Sequence, residues 1–164
     1  RQRPLRVKII CNVPPKTPIA GADNVFVPWQ VEGEAEAIGS CHVGIMPLPD
    51  QHYMNGKCAL KALQFMATGR PVVVSPVGMN KDLIRHGENG FLARGTDEWL
   101  DHLTRLADSR DLRTRLGLAG RETVEGDYSA SICAGQFAEA VRSALAFKSD
   151  QSFEAAPLEA YPAE

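Results

Sequence analysis

Apolar and polar positions alternate in short blocks over the first ninety or so residues. Leu5, Val7 and Ile9 alternate with Arg6 and Lys8 before Ile10, a period of two that predicts a strand with one polar face. The Pro14-Pro15-Lys16-Thr17-Pro18 run interrupts it, and Val25-Phe26-Val27 forms a second short apolar run stopped by Pro28. Residues 31–40 mix Ala, Glu and Ile in a helical pattern, and Val43-Gly44-Ile45-Met46 is continuously apolar ahead of Pro47-Leu48-Pro49-Asp50. Residues 57–68 are rich in helix formers, with only a narrow polar stripe. Val72-Val73-Val74 lies between Gly69-Arg70-Pro71 and Ser75-Pro76-Val77-Gly78, and Gly87-Glu88-Asn89-Gly90 turns the chain into Phe91-Leu92-Ala93. Beyond residue 96 only helical spacing appears: Trp99, Leu100, Leu103 and Leu106, then Leu112, Leu116 and Leu118, then Ile132, Phe137, Val141 and Leu145. Trp99 is expected in the core on that spacing.

Short apolar strands alternating with helices predict an α/β fold. The expected architecture is a doubly wound, Rossmann-like parallel sheet of about five strands, followed by C-terminal helices. Residues 1–147 are expected to form this domain, and residues 148–164 an acidic Ala/Pro-rich tail.

Composition narrows the function. The 164 residues are 44% hydrophobic and 23% charged, enough to bury a core. Net charge is -2, which argues against nucleic acid as a partner. Cys11, Cys41, Cys58 and Cys133 form no C-x-x-C pair, and neither they nor the four histidines have metal-ligand spacing. Free thiols of this kind fit a reducing, cytoplasmic setting, and no metal is expected. The chain starts at Arg1 rather than Met, so it is expected to be a piece of a longer protein.

In open parallel sheets ligands bind beyond the carboxyl ends of the strands. The loops 47–56 and 75–78 lie there, and both are shaped by Gly and Pro rather than supplied with acid–base groups. A helix beginning at Lys57 would aim the amides of Lys57, Cys58 and Ala59 into the crevice, where a helix N-terminus favours a phosphate. Lys57, Lys61, Gln64 and Thr68 form one polar line on an otherwise apolar helix. That line either borders the crevice or simply reaches bulk water. Asp50 is a candidate for a sugar hydroxyl and equally for a turn. Pro28 and Trp29 end a strand where a nucleobase or the sheet edge would lie. Asp82 belongs to the first turn of the next helix, and His52 and Tyr53 lack a catalytic spacing.

The stretches Val43 to Asp50, Gly56-Lys57-Cys58, Lys61, Gln64 to Ala67, Gly69, Pro71 to Val73, Ser75 to Gly78, Gly87 to Leu92, Leu112-Arg113, Gly117 to Arg121 and Tyr128-Ser129 resemble, in order, the group 1 glycosyltransferases. The resemblance implies the C-terminal, nucleotide-sugar-binding half of a two-domain, GT-B-type, retaining-type enzyme, without its first strand–helix unit and its N-terminal acceptor domain. It implies a nucleoside-diphosphate sugar as substrate, a saccharide or lipid acceptor, and donor contacts from Asp50, Gly56, Lys57, Cys58, Ala59, Lys61, Gln64 and Ser75; the possible base-side residues remain Pro28 and Trp29. The family's two glutamates fall at Gly56 and Gln64, so no catalytic residue is assigned, and donor preference and stereochemical outcome stay open. The alternatives are a non-catalytic binding or scaffolding module of the same fold and a sugar-nucleotide epimerase-like fragment. The full-length protein is expected in the cytoplasm or peripherally at the inner face of the membrane.

Overall fold

A computed structural model describes residues 5–150. Five strands and six α-helices follow one another as β1 (Arg6–Cys11), β2 (Asp23–Pro28), α1 (Glu34–Gly39), β3 (Gly44–Met46), α2 (Leu60–Ala67), β4 (Val72–Val74), α3 (Asn80–Leu83), β5 (Phe91–Leu92), α4 (Thr96–Asp108), α5 (Arg110–Asp127) and α6 (Ala130–Asp150). A 3-10 turn, His52–Gly56, precedes α2. The α/β class and the helical C-terminal run are as the patterning predicts.

Every strand pairing is parallel. β1 lies on β2 with Arg6 opposite Asp23 and Cys11 opposite Pro28. β3, β4 and β5 form a second sheet in that order, with Gly44 opposite Val72 and Val73 opposite Phe91. Among the described residues no pairing joins β1 to β3, so the five strands form a pair and a triplet rather than one continuous ladder.

β4 is the centre of the triplet. Val72, Val73 and Val74 are all fully buried, as a parallel strand with both faces covered requires. Val73 packs into a cluster with Phe91, Ala93, Leu106 and Leu116, against which Val43, Trp99, Leu103 and Leu112 rest. Trp99 is half-buried and packs against this core, the side its spacing predicts. Leu100 and Leu118 share that helical spacing but are exposed.

The turn between α3 and β5 is held by a buried polar side chain. Asn89 accepts the Arg85 N–H at 2.8 Å and donates to Leu83 O and Thr123 Oγ1, each at 3.1 Å. Burying an amide is tolerable because its hydrogen-bonding capacity is used. This network ties Gly87-Glu88-Asn89-Gly90 to α5.

The chain divides into two compact units, the first ending at Glu125 and the second beginning at Gly126. The first unit holds both sheets. In the second, α6 carries Ile132, Phe137, Val141 and Leu145, all exposed. α6 continues to Asp150, past the expected start of the tail at 148, and residues 151–164 of that tail lie outside the described residues.

α5 approaches the sheet closely at one point. A Cβ on Gly117 would stand 2.1 Å from Gly69 O, a backbone atom that cannot swing away. Gly117→Ala is therefore expected to cost about 2 kcal/mol, in the range of other overpacking substitutions. Gly126, also in α5, has nothing within 4 Å of an added Cβ, and Gly126→Ala should gain up to about 1 kcal/mol from helix propensity. Urea denaturation of the two variants checks both signs.

Candidate functional site

The carboxyl ends of β3 and β4 open into the loops 47–59 and 75–79, and these loops clasp each other. Ser75 is buried, and its Oγ accepts the Leu48 N–H at 2.9 Å. Asn80, also buried, donates to Ser75 O at 2.9 Å. Gly78 takes a positive φ of 54°, and a Cβ there would stand 2.9 Å from Asn55 O and 3.1 Å from Lys57 O. Glycine thus serves both the turn and the close approach. The Met79 N–H reaches Lys57 O at 3.4 Å. These bonds hold the backbone that leads into α2.

The start of α2 corrects the sequence reading. The helix does not begin at Lys57 but at Leu60. Lys57 is extended (φ -74°, ψ 129°), and its N–H is committed to Met54 O at 3.1 Å. Ala59 adopts a left-handed conformation, φ 55° and ψ 19°, which breaks the chain's path just before the helix. For a residue with a Cβ this conformation costs roughly 1–2 kcal/mol. The first intrahelical bond runs from the Leu63 N–H to Ala59 O at 3.0 Å. The amides left without helical partners are therefore those of Leu60, Lys61 and Ala62, three residues later than expected. Proline- and glycine-rich loops leave no periodic signal from which that offset could be read.

The polar line is correspondingly shorter. Lys57 lies off the helix, with its ammonium 5.3 Å from the centroid of the Tyr53 ring. Thr68 caps the helix C-terminus and donates to Phe65 O at 2.9 Å. Lys61 and Gln64 remain in α2, and both meet a residue that the sequence reading did not select. Glu34, in the first turn of α1, accepts from Trp29 Nε1 at 2.7 Å and Lys61 Nζ at 3.1 Å through Oε1. Its Oε2 accepts from Gln64 Nε2 at 2.8 Å. Lys61 Nζ also donates to Gln64 Oε1 at 2.9 Å. Four side chains from the end of β2, α1 and α2 thus form one closed network. Sequence separation hides it, because Glu34 stands 27 and 30 residues from its partners on α2.

The hydrogen bond from Trp29 first, and that from Lys61 next, hold the Glu34 carboxyl below its ordinary range, while desolvation pulls the other way. The network is a set of hydrogen-bond donors braced by one ionised carboxylate. Its four side chains are joined only by hydrogen bonds and one ion pair. Among the remaining expected site residues, Gly56 ends the 3-10 turn and Pro28 ends β2. Asp50 and Cys58 are exposed and take no part in the network. Among the described residues no cluster of three or more His, Cys, Asp or Glu is arranged to hold a metal ion, and all four cysteines are free thiols.

Residues 1–109 match a family model described as glycosyl transferases group 1. The chain is similar to a D-inositol 3-phosphate glycosyltransferase of Nocardia farcinica, 39% identical over 61 residues, which is 36% of this chain and 14% of that protein. Among solved structures it resembles sucrose-phosphate synthase from Thermosynechococcus elongatus, with a TM-score of 0.62 and 22% identity, over 76% of this chain and 31% of that one. It also resembles Anabaena HepE in complex with UDP, with a TM-score of 0.59 and 17% identity, over 74% of this chain and 32% of that one. The chain therefore spans about a third or less of the length of these proteins.

A group whose folded-state pKa is lowered adds stability above its unfolded-state value, and that contribution is lost as pH falls through the folded value. Glu34→Gln is therefore expected to lower the thermal midpoint at neutral pH. It should also make the midpoint fall less steeply as pH drops below about 4.3, the ordinary glutamate value. Thermal melts of the two proteins from neutral to acid pH check this; parallel curves would show that the carboxylate contributes nothing.

Proposed function

Because this chain belongs to the glycosyl transferases group 1 family, we propose that it is the donor-binding portion of a glycosyltransferase, holding a nucleoside-diphosphate sugar beyond the carboxyl ends of β3 and β4. The observation that carries this reading is the Trp29–Glu34–Lys61–Gln64 network beside the start of α2. It sets hydrogen-bonding side chains next to helical amides that have no intrahelical partners, at the end of a parallel sheet where ligands collect. The diphosphate sits on the amides of Leu60, Lys61 and Ala62, where the partial positive charge of the helix end stabilises it as a leaving group. Gln64 binds the ribose side, oriented by Glu34, Lys61 faces the diphosphate, and Trp29 with Pro28 borders the base. Asp50, Gly56, Lys57, Cys58, Ala59 and Ser75 shape or contact the sugar side of the crevice. The neighbouring structure solved with UDP supports a uridine nucleotide as the first ligand to test.

Glu34 gives this arrangement a feature of its own. The position where the family's second glutamate falls is Gln64, and the Glu34 carboxylate lies one hydrogen bond away at 2.8 Å. In this reading a carboxylate delivered by α1 keeps negative charge beside the ribose. No divalent metal is required, since amides and Lys61 carry the diphosphate. The acceptor, a saccharide or lipid, and the groups that activate it come from the N-terminal domain of the full-length enzyme, and the 164-residue chain alone binds donor without transferring sugar. Among the described residues no helix is long and apolar enough to cross a membrane.

The second reading, a non-catalytic nucleotide-binding or scaffolding module, is favoured by one observation. Lys61 is already paired with Glu34 at 3.1 Å, which offsets the charge that would attract a phosphate. Calorimetric titration with UDP, GDP, ADP and their sugars separates the two. The donor-binding reading predicts measurable affinity for at least one nucleotide, weakened about tenfold by Lys61→Ala and by Gln64→Ala, the loss of roughly one charge-assisted hydrogen bond. Absence of binding, or affinity unchanged in both variants, overturns it.

A further inference from the structure

A second concave site lies at the other end of the sheet. A cavity of about 550 Å³ opens where the chain enters β3 and β4, bounded by residues 68–71 after α2 and by the first turns of α5. Arg70, Arg110 and Arg113 line it together with His42, and no carboxylate is among its lining residues. We propose that this cavity is an anion site that takes the phosphate group of a phosphate ester.

Three guanidinium groups brought into one cavity repel each other, and that repulsion is relieved by a counter-charge of the opposite sign. Arg113 is partly committed, its Nη1 donating to Leu106 O at 2.5 Å and Ala107 O at 3.2 Å at the end of α4. Arg70 is not: its Nε is buried without a hydrogen-bond partner. A buried, charged donor left unmatched is costly, and an acceptor entering the cavity removes that cost. The two lining threonines have spent their hydroxyl protons on backbone carbonyls, Thr68 on Phe65 O at 2.9 Å and Thr114 on Arg110 O at 3.1 Å. The cavity's donor capacity is therefore dominated by planar guanidinium forks.

Such forks match phosphate oxygens in pairs. A phosphate ester, with close to two negative charges near neutral pH and three terminal oxygens, answers three arginines better than one carboxylate does. The cavity is also larger than a bare phosphate fills and lies within the usual range for small-molecule sites. Pro71 and the exposed Leu118 add apolar wall for the body of the ester. The turn at Gly69 packs closely on α5, where a Cβ on Gly117 would stand 2.1 Å from Gly69 O.

The shared chemistry, a phosphate ester, has two sources: a soluble phosphorylated metabolite and the headgroup of an acidic lipid. The test is an amide-resolved NMR titration of the 164-residue chain at constant ionic strength. The probes are inorganic phosphate, glycerol 3-phosphate, and phosphatidylcholine vesicles with and without phosphatidic acid. The expected result is saturable shifts at residues 68–71 and 110–118, with affinity reduced about tenfold by Arg110→Gln and unchanged by Lys61→Ala. Response to glycerol 3-phosphate assigns the soluble source, and response only to phosphatidic acid vesicles assigns the lipid. Arg110 is exposed, so its variant keeps the fold, while Arg70→Gln is read only if its spectrum remains dispersed. Absence of saturable shifts, shifts that survive Arg110→Gln, or shifts abolished by Lys61→Ala would each overturn the proposal. The last outcome would place all phosphate binding at α2.

Discussion

The constraint on which the first unit depends is the complete burial of β4. Val72, Val73 and Val74 lose all contact with water, which requires a strand on each edge and helices across both faces. Each buried side chain contributes roughly 1.5–3 kcal/mol relative to an exposed one, so the arrangement around β4 has little freedom. The two ends of that strand then become fixed platforms. Ser75 at its carboxyl end braces the loops that lead into α2. Arg70 and Pro71 at its amino end form one wall of the basic cavity.

Polar groups at the two ends are treated differently. At the carboxyl end, Glu34 gathers the donors of Trp29, Lys61 and Gln64, so charge is balanced within the protein. At the amino end, three arginines line one cavity, with no carboxylate among its lining residues. A balanced network orients a ligand by geometry and hydrogen bonding, whereas an unbalanced one selects it by charge. On the two proposals, Lys61 and Gln64 act at the first end and Arg110 and Arg70 at the second.

Among the described residues the strands leave open edges. β1 pairs only with β2, and β3 only with β4. Ile45, at the middle of β3, is 44% exposed although its neighbours in β4 are buried. Parallel sheets rarely leave an apolar strand uncovered.

The local record in the chain determined a great deal. Apolar runs with proline or glycine punctuation located β1 to β4, and the turn at residues 87–90 pointed to the run that forms β5. The spacing of Trp99, Leu103 and Leu106 placed α4 with its apolar side inward. Those features are legible because periodicity and turn chemistry act over a few residues. What only the tertiary structure decided depends on partners far apart in sequence. The register of α2 was settled by the left-handed Ala59 and by Lys57 bonding to Met54, neither of which changes the hydrophobic pattern. Glu34 reads as an ordinary charge on a short helix until folding brings it to Trp29, Lys61 and Gln64. Arg70, Arg110 and Arg113 likewise come to line one cavity only because α5 lies against the turn at Gly69, and convergence of that kind is a property of distance in space.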